Sequence, residues 1–216
     1  MAAEDVSEGD GWPQSFDPGD RVLEAAANGE AQQVRELVQA AGVPFGQIIW
    51  SAVHFTSAYA GLKFLLEVCG TAGMNSCSDA GWTPLASAVT SCEHEGVQHL
   101  RTVELLLSRG ANPNQRVVNM TYNHTPLQLI HGPGWSSFTA RTLRLVSHLL
   151  LRYGAEIPPA ATDPYLCKVA AAGGLRAYEK AHRRALAMTL ARVVFPRLPV
   201  DVVSHVVAFS FHAGYY

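Results

Sequence analysis

One short segment of the chain combines residue types that bind metal ions. It reads Cys92-Glu93-His94, with His99 close behind. Thiolate, imidazole and carboxylate groups are the usual ligands of zinc, but structural zinc sites use paired cysteines at CxxC spacing, which this segment lacks. The other cysteines, Cys69, Cys77 and Cys167, are irregularly spaced in a chain large enough to fold without disulfides. We therefore expect reduced thiols and no metal site.

Catalytic motifs are also missing from the sequence. It contains no GxxxxGKS/T phosphate loop, no GxGxxG dinucleotide motif, no HExxH zinc motif and no GxSxG nucleophile elbow. The nine histidines are scattered, and none stands in an evident arrangement with a carboxylate and a nucleophile. We therefore expect neither an enzyme nor a cofactor-binding protein.

The central part of the sequence repeats itself. Gly81-Trp82-Thr83-Pro84-Leu85 recurs as Asn123-His124-Thr125-Pro126-Leu127, and segment 103–112 recurs at 146–156 with one residue inserted. In both copies Thr-Pro-Leu precedes a leucine-rich run that ends in Gly-Ala. The same motifs in the same order indicate two copies of one structural unit.

Each copy predicts a pair of helices. Thr83 is suited to cap a helix N-terminus, and Pro84 to occupy its first position, where the missing N–H is not needed. In the leucine-rich run, apolar residues recur at i, i+3 and i+4 from Val103, which is the spacing of a buried stripe. Gly110 then ends the second helix, because glycine adopts a left-handed backbone at low cost. Such a unit cannot bury its apolar face alone, so we expect the units to stack.

These residues resemble the ankyrin repeat, whose units open with Thr-Pro-Leu-His and close with Leu-Leu-Leu and Gly-Ala-Asp. The two copies, at about 79–114 and 119–157, match it well. Weaker copies precede them at 22–38 and 48–75, and a degenerate one follows at 164–187. The resemblance implies an all-α ankyrin-repeat solenoid of about four to five helix-turn-helix repeats, with C-terminal capping or docking helices.

The chain divides into three parts on this interpretation. Residues 1–18 form an acidic leader that we expect to be disordered, because acids, Gly, Ser and Pro dominate it. Residues 19–160 form the ankyrin repeats. Residues 161–216 form the degenerate last repeat and a C-terminal helical box or cap.

The two clear copies are further apart than ankyrin repeats usually are. Their Thr-Pro-Leu motifs lie 42 residues apart, against a usual period of about 33. We expect the excess in long connections within each unit, at 90–99 and at 131–138. Trp135 and Phe138, beside a Gly-Pro-Gly turn, would anchor a partner if exposed; alternatively, they fold back over the ends of their own helices.

The resemblance also implies a protein partner on the concave face, which the first helices and the turn tips form. In this chain the tips fall at about 78–82 and 119–123, and they contain Trp82 and Tyr122. Large aromatic side chains carry much of the energy of protein interfaces. We therefore expect Trp82 and Tyr122 to contribute most to partner binding.

The C-terminal segment differs in composition from the repeats. Residues 175–194 carry five basic residues and one acid, with apolar residues at helical spacing, which predicts a basic amphipathic helix. Pro199 interrupts this helix and can start another, which contains Val202, Val203 and Val206. This second run is too apolar to remain in water, so it must pack on the repeats or on a partner.

The same segment is similar to two docking boxes. Leu-Pro followed by Asp-Val-Val and Val-Val-x-Phe resembles the opening helix of an F-box, which binds the Skp1-type adaptor of cullin ubiquitin ligases. Alternatively, 185–190 and the Leu-Pro pair align with a SOCS box, which binds elongin-type adaptors. The third interpretation is a helical cap that seals the last repeat. Either box implies the following adaptor-docking residues: Leu198, Pro199, Val202, Val203 and Val206.

Composition narrows the function classes. Of the 216 residues, 48% are hydrophobic and 16% are charged, and the formal net charge is −2. Such a chain can build a sizeable core but lacks the positive excess of a nucleic-acid binder. The basic helix is then better interpreted as a solvated face than as a phosphate or membrane site. With neither a membrane span nor a signal peptide in evidence, we expect a cytoplasmic or nuclear protein.

The expected function is binding. We expect a non-catalytic adaptor whose ankyrin repeats hold a partner protein. Its C-terminal segment would recruit a cullin-RING ubiquitin ligase adaptor, which would make the chain a substrate receptor. The alternative is a purely structural ankyrin scaffold or inhibitor, with a C-terminal cap and no ligase link.

Overall fold

The computed structural model describes residues 18–42, 44–54, 59–95, 97–133 and 138–212. Within these ranges, eleven helices and one two-stranded hairpin follow each other along the chain. They are α1 (Pro18–Ala27), α2 (Ala31–Ala40), α3 (Phe45–His54), α4 (Tyr59–Cys69), α5 (Pro84–Glu95), α6 (Val97–Ser108), β1 (Val117–Val118), β2 (Asn123–His124), α7 (Pro126–Ile130), α8 (Ala140–Arg152), α9 (Pro164–Ala171), α10 (Leu175–Val193) and α11 (Val200–His212). The predicted leader lies outside the described residues, apart from Pro18, at which α1 begins.

The helices up to α10 form consecutive pairs that pack in two layers. The first helices α1, α3, α5 and α7 contact one another in order, and the second helices α2, α4, α6, α8 and α10 do the same in the other layer. One hydrophobic core runs through the pairs from Val22 in α1 to Val169 in α9. This mostly helical arrangement fits the predicted all-α repeat fold.

The caps predicted for the third and fourth pairs are confirmed. The Ala86 N–H donates to Thr83 Oγ1 at 3.1 Å, and Gly110, just after α6, has a φ of +96°. At the start of α7, Thr125 and Gln128 form a capping box, in which each side chain accepts from the other residue's backbone N–H. These local hydrogen bonds explain why the two pairs carry clear sequence signals.

The long connection predicted at 90–99 is wrong. Only residue 96 separates α5 from α6, so the extra residues lengthen the helices instead of forming a loop. The Thr90 and Ser91 hydroxyls donate to carbonyls one turn earlier, at 3.1 and 2.9 Å, which satisfies both side chains inside the helix. The second predicted connection, at 131–138, falls between α7 and α8, and its residues 134–137 lie outside the described residues.

Two asparagines join neighbouring pairs by the same set of contacts. The Asn75 side chain accepts from the Asn112 N–H at 2.8 Å and donates to the Gly110 carbonyl at 3.4 Å. Asn114 lies in the equivalent turn of the next pair. Its side chain accepts from the Glu156 N–H at 2.9 Å and donates to the Gly154 carbonyl at 3.0 Å. The repetition shows that the second, third and fourth pairs stack in one register.

The long helix α10 connects the main core to a second, smaller core. Its first half packs on the main core through residues that include Tyr178. Its second half packs on α11, where Ala187 and Ala191 form a separate buried cluster with Val203 and Val207. The predicted basic helix is thus confirmed as α10, and the helix predicted after the Leu-Pro break is α11.

Candidate protein-interaction surfaces

The turn tips of the third and fourth pairs are fixed to each other. Gly81 has a φ of +77°, and a Cβ added there would overlap the carbonyl oxygen of Val118, so the approach requires glycine. The Asn119 side chain donates to the Ala80 carbonyl at 3.0 Å. The β1–β2 hairpin, in which Val118 pairs with Asn123, is therefore anchored on the preceding tip.

Trp82 and Tyr122, the two predicted binding aromatics, contact each other at these tips. Their ring centroids lie 5.8 Å apart in a T-shaped arrangement. Both side chains are half-buried over a small apolar cluster that includes Val117 of β1. Sequence spacing alone did not indicate this contact, which joins two successive units and leaves part of each ring accessible.

Met120 is the exposed residue that sequence reasoning missed at this tip. Its side chain is fully exposed at the end of the hairpin, and Val118 is exposed while its neighbour Val117 is buried. The difference between the two valines follows from the strand, whose successive side chains point to opposite faces. The sequence feature that could have indicated this exposed residue is the presence of apolar residues in a short turn. A methionine thioether is flexible and polarisable, and such side chains adapt to partner surfaces.

Of the two aromatic residues predicted in the second connection, one is described. Phe138 is half-buried and packs against the main core. It precedes Thr139, whose Oγ1 accepts from the Thr142 N–H at 3.1 Å at the start of α8. Trp135 lies outside the described residues.

Two of the residues considered as metal ligands, Cys92 and His99, make contacts that support the helices. Cys92 is buried and its Sγ donates to the Ala88 carbonyl at 3.4 Å. His99 Nε2 lies 3.2 Å from the Val53 carbonyl oxygen and so connects α6 to α3. Among the described residues, no three His, Cys, Asp or Glu side chains are grouped to hold a metal ion.

One Ser-His-Asp group has the residue types of a hydrolase triad. His131 Nε2 lies 2.8 Å from Ser147 Oγ. Burial lowers the pKa of His131, whereas the nearby negative charge of Asp163 raises it and so partly offsets the effect of burial. Ser147 is 0% exposed, and Asp163 caps α9 by accepting from the Tyr165 and Leu166 N–H groups at 2.9 Å. The serine side chain is buried, so the His131–Ser147 contact joins the end of α7 to α8.

Of the residues predicted to dock a ligase adaptor, the C-terminal helices bury one and leave the others exposed. Val203 is 1% exposed because it packs on α10. Val202 and Val206 are 43% and 52% exposed, and Leu198 and Pro199, just before α11, are exposed as well. Val203 therefore cannot touch a partner while α11 is closed on α10, which corrects its predicted place in the docking set.

Exposed apolar side chains are concentrated in these two helices and the turn between them. Among the described residues, eleven large hydrophobic side chains are exposed, and eight of them lie here. We call these eight the C-terminal apolar face: Met188, Val193, Val194, Phe195, Leu198, Val200, Val202 and Val206. Single exposed apolar residues are ordinary, so it is their concentration in this part of the described chain that distinguishes it. None of the described helices has the length and apolarity to cross a membrane.

A family model matches the third helix pair. The ankyrin repeat model matches residues 80–117, from the turn tip through α5 and α6 to β1. No curated protein matches the chain. Together with the stacked helix pairs, the match supports an ankyrin-repeat family. Ankyrin repeats are typically non-catalytic, and they suggest a protein–protein interaction role with a protein partner.

Proposed function

We propose that this protein is a non-catalytic adaptor with two protein-binding ends. The stacked pairs are interpreted as an ankyrin solenoid of four to five repeats that holds a partner protein. The C-terminal helices recruit the adaptor subunit of a cullin-RING ubiquitin ligase, which makes the protein a cytoplasmic or nuclear substrate receptor. The observation that carries the proposal is the C-terminal apolar face.

The polarity of α11 supports docking over capping. An element that caps a repeat array ordinarily has a polar outer face, because the array must remain soluble. Here α11 buries one apolar side, through Val203 and Val207, and leaves a second apolar side exposed, through Val202 and Val206. A helix whose only task was to seal α10 would need the first side and not the second.

The alternative is a structural scaffold or inhibitor that ends in a cap. Its support is the burial of Val203 and Val207, which close a small core on α10 as a cap would. It leaves the second apolar side of α11 without a role. The exposed side is the feature on which the two candidate functions differ, so substitutions there separate them.

The repeat end of the proposal rests on the turn tips. Trp82 and Tyr122 form a half-buried aromatic pair, and Met120, two residues before Tyr122, is fully exposed. A rigid aromatic base beside an exposed flexible side chain resembles the centre of protein interfaces, where a few large residues supply most of the binding energy. We expect the partner of the repeats to bury Met120.

The deciding experiment uses the full chain and two purified candidate adaptors, Skp1 and the elongin B–elongin C complex. Isothermal titration calorimetry measures the Kd for each. We expect one adaptor to bind, and the double substitution Val202→Asp and Val206→Asp to weaken that binding by at least about tenfold, because it places two charges in an apolar contact. Circular dichroism should show unchanged helicity.

The matched control places the same charge on another exposed valine. Val118→Asp, at the tip of the hairpin, should leave adaptor binding unchanged. Binding that survives the double substitution would contradict the assignment of the docking surface. If neither adaptor binds the unmodified chain, the ligase role is wrong and the scaffold alternative takes its place.

A further inference from the structure

A groove lies between α8 and α10, the second helices of the fourth and fifth pairs. Its volume is about 690 Å³, within the range of binding clefts. α8 contributes Arg141 and Arg144 to one wall, and α10 contributes three side chains spaced four residues apart on one side: Tyr178, His182 and Leu186. A smaller cavity of about 290 Å³ shares Arg144 and Tyr178 with the groove, so the two adjoin and lengthen the cleft.

The floor of the groove is a row of packed rings. Tyr165 and Tyr178 meet edge to face with centroids 5.7 Å apart, and His182 stacks on Tyr178 at 5.8 Å with an interplanar angle of 7°. The Arg144 guanidinium lies 5.4 Å from the centroid of the Tyr165 ring. These contacts hold the rings and the cation in place before any ligand arrives.

The acid that lines the larger groove is already engaged. The Glu179 carboxylate lies 3.5 Å from His148 Nε2, and His148 Nδ1 lies 3.1 Å from the Tyr165 hydroxyl. By contrast, the Arg141 and Arg144 side chains are exposed to solvent. A ligand that enters the groove therefore meets two guanidinium groups, an aromatic floor and one carboxylate that contacts His148.

Charge is distributed very unevenly along the chain. Residues 140–197 hold ten Lys and Arg against three Asp and Glu, whereas residues 1–139 hold six against fourteen. The groove is built from the basic part. Opposite charge raises association rates and favours acidic partners, and a bidentate guanidinium contact to a carboxylate is stronger than a hydrogen bond between neutral groups.

We infer that the α8–α10 groove binds an acidic peptide segment that carries an apolar side chain. The carboxylates contact Arg141 and Arg144, and the apolar side chain lies on the Tyr165–Tyr178 floor. Nucleic acid fits less well, because a long polyanion would also meet the acidic charge of residues 1–139. The site is separate from the proposed function, since it uses neither the turn tips nor the exposed side of α11.

Fluorescence anisotropy with the full chain tests this site. The probe is a fluorescein-labelled nonapeptide, Glu-Glu-Asp-Glu-Phe-Leu-Glu-Asp-Glu, and its counterpart replaces every acid by the corresponding amide. The site variant is Arg141→Glu with Arg144→Glu. The matched control is Arg152→Glu, an exposed arginine on the same helix that lines neither cavity. Circular dichroism verifies the fold of each variant.

The acidic peptide should bind with a Kd that rises at least about tenfold in the site variant and less than about twofold in the control. The amide peptide should bind at least about tenfold more weakly than the acidic one. No binding of the acidic peptide, equal binding of the amide peptide, or an equal loss in the control variant would overturn the proposal. Tighter binding of a labelled twelve-nucleotide oligothymidylate, lost in the site variant, would identify a phosphate site instead.

Discussion

Replacing Val203 by alanine should loosen α11 without unfolding the repeats. Val203 belongs to the small cluster between α10 and α11, which shares no buried residue with the main core. Removing two buried methyl groups costs about 1.6 kcal/mol at ~0.8 kcal/mol each, and the cavity left behind raises the loss to roughly 2–3 kcal/mol. We expect the free energy of opening α11 to fall by that amount.

Hydrogen exchange followed by mass spectrometry measures this opening. A loss of roughly 2–3 kcal/mol should speed the exchange of protected α11 amides roughly 30- to 150-fold. Amides of α6, which surround Leu106 in the main core, should keep their exchange rates. Val202→Ala makes the same chemical change one residue away at an exposed side chain, so it should alter α11 exchange by less than about threefold.

Two results would refute this reasoning. Equal acceleration in α6 and α11 would mean that the two cores open as one cooperative unit. Unchanged exchange in α11 would mean that Val203 contributes nothing to its closure. In either case the small core could not be treated as a unit that opens separately from the repeats.

Three further changes test other features. Gly81→Ala should lower the free energy of unfolding in urea by more than about 2 kcal/mol, because the strain of a positive φ and the clash with the backbone act together. Gly110→Ala should lower it by about 1 kcal/mol, because that position has a positive φ but open space around it. Asn114→Ala removes two hydrogen bonds between the third and fourth pairs and should cost about 1–3 kcal/mol by the same measurement. Burial lowers the pKa of His148 below its ordinary value of 6.5, and the opposing effect of the Glu179 charge is smaller. As the pH falls through 6.5, the unfolded chain therefore takes up a proton at this histidine before the folded chain does. Thermal stability should therefore fall on acidification from about pH 7.5 to about 5.5, and His148→Gln should reduce the fall; an unchanged pH profile in that variant would contradict the assignment.

The helix pairs could be predicted where their signals are local. The Thr83 cap and the Gly110 stop each depend on a few neighbouring residues, and the structure confirms both. The connection at 90–99 could not be predicted in the same way. Polar residues such as Thr90 usually indicate a loop, yet here its hydroxyl donates within the helix, which a sequence pattern does not distinguish.

The candidate sites were harder to predict because they depend on contacts between distant segments. Val202 and Val203 have the same side chain, and only the packing of α11 on α10 decides which of them a partner can reach. Likewise, Arg144, Tyr165 and Tyr178 lie on three helices, and no short motif links them. Periodicity predicts that a helix has an apolar face but does not identify which neighbour covers that face.

The continuity of α10 determines how the proposed surfaces relate to one another. Its 19 residues span about 28 Å at ~1.5 Å per residue, and they pass from the main core, through the groove, to the small core. Leu186 lies at the junction, because it lines the groove and also packs on the cluster with α11. Because α10 is one continuous helix that packs on both cores, it holds the small core at a fixed distance from the main core. A partner held by the repeats and a protein docked on the proposed α11 surface would therefore keep a defined separation.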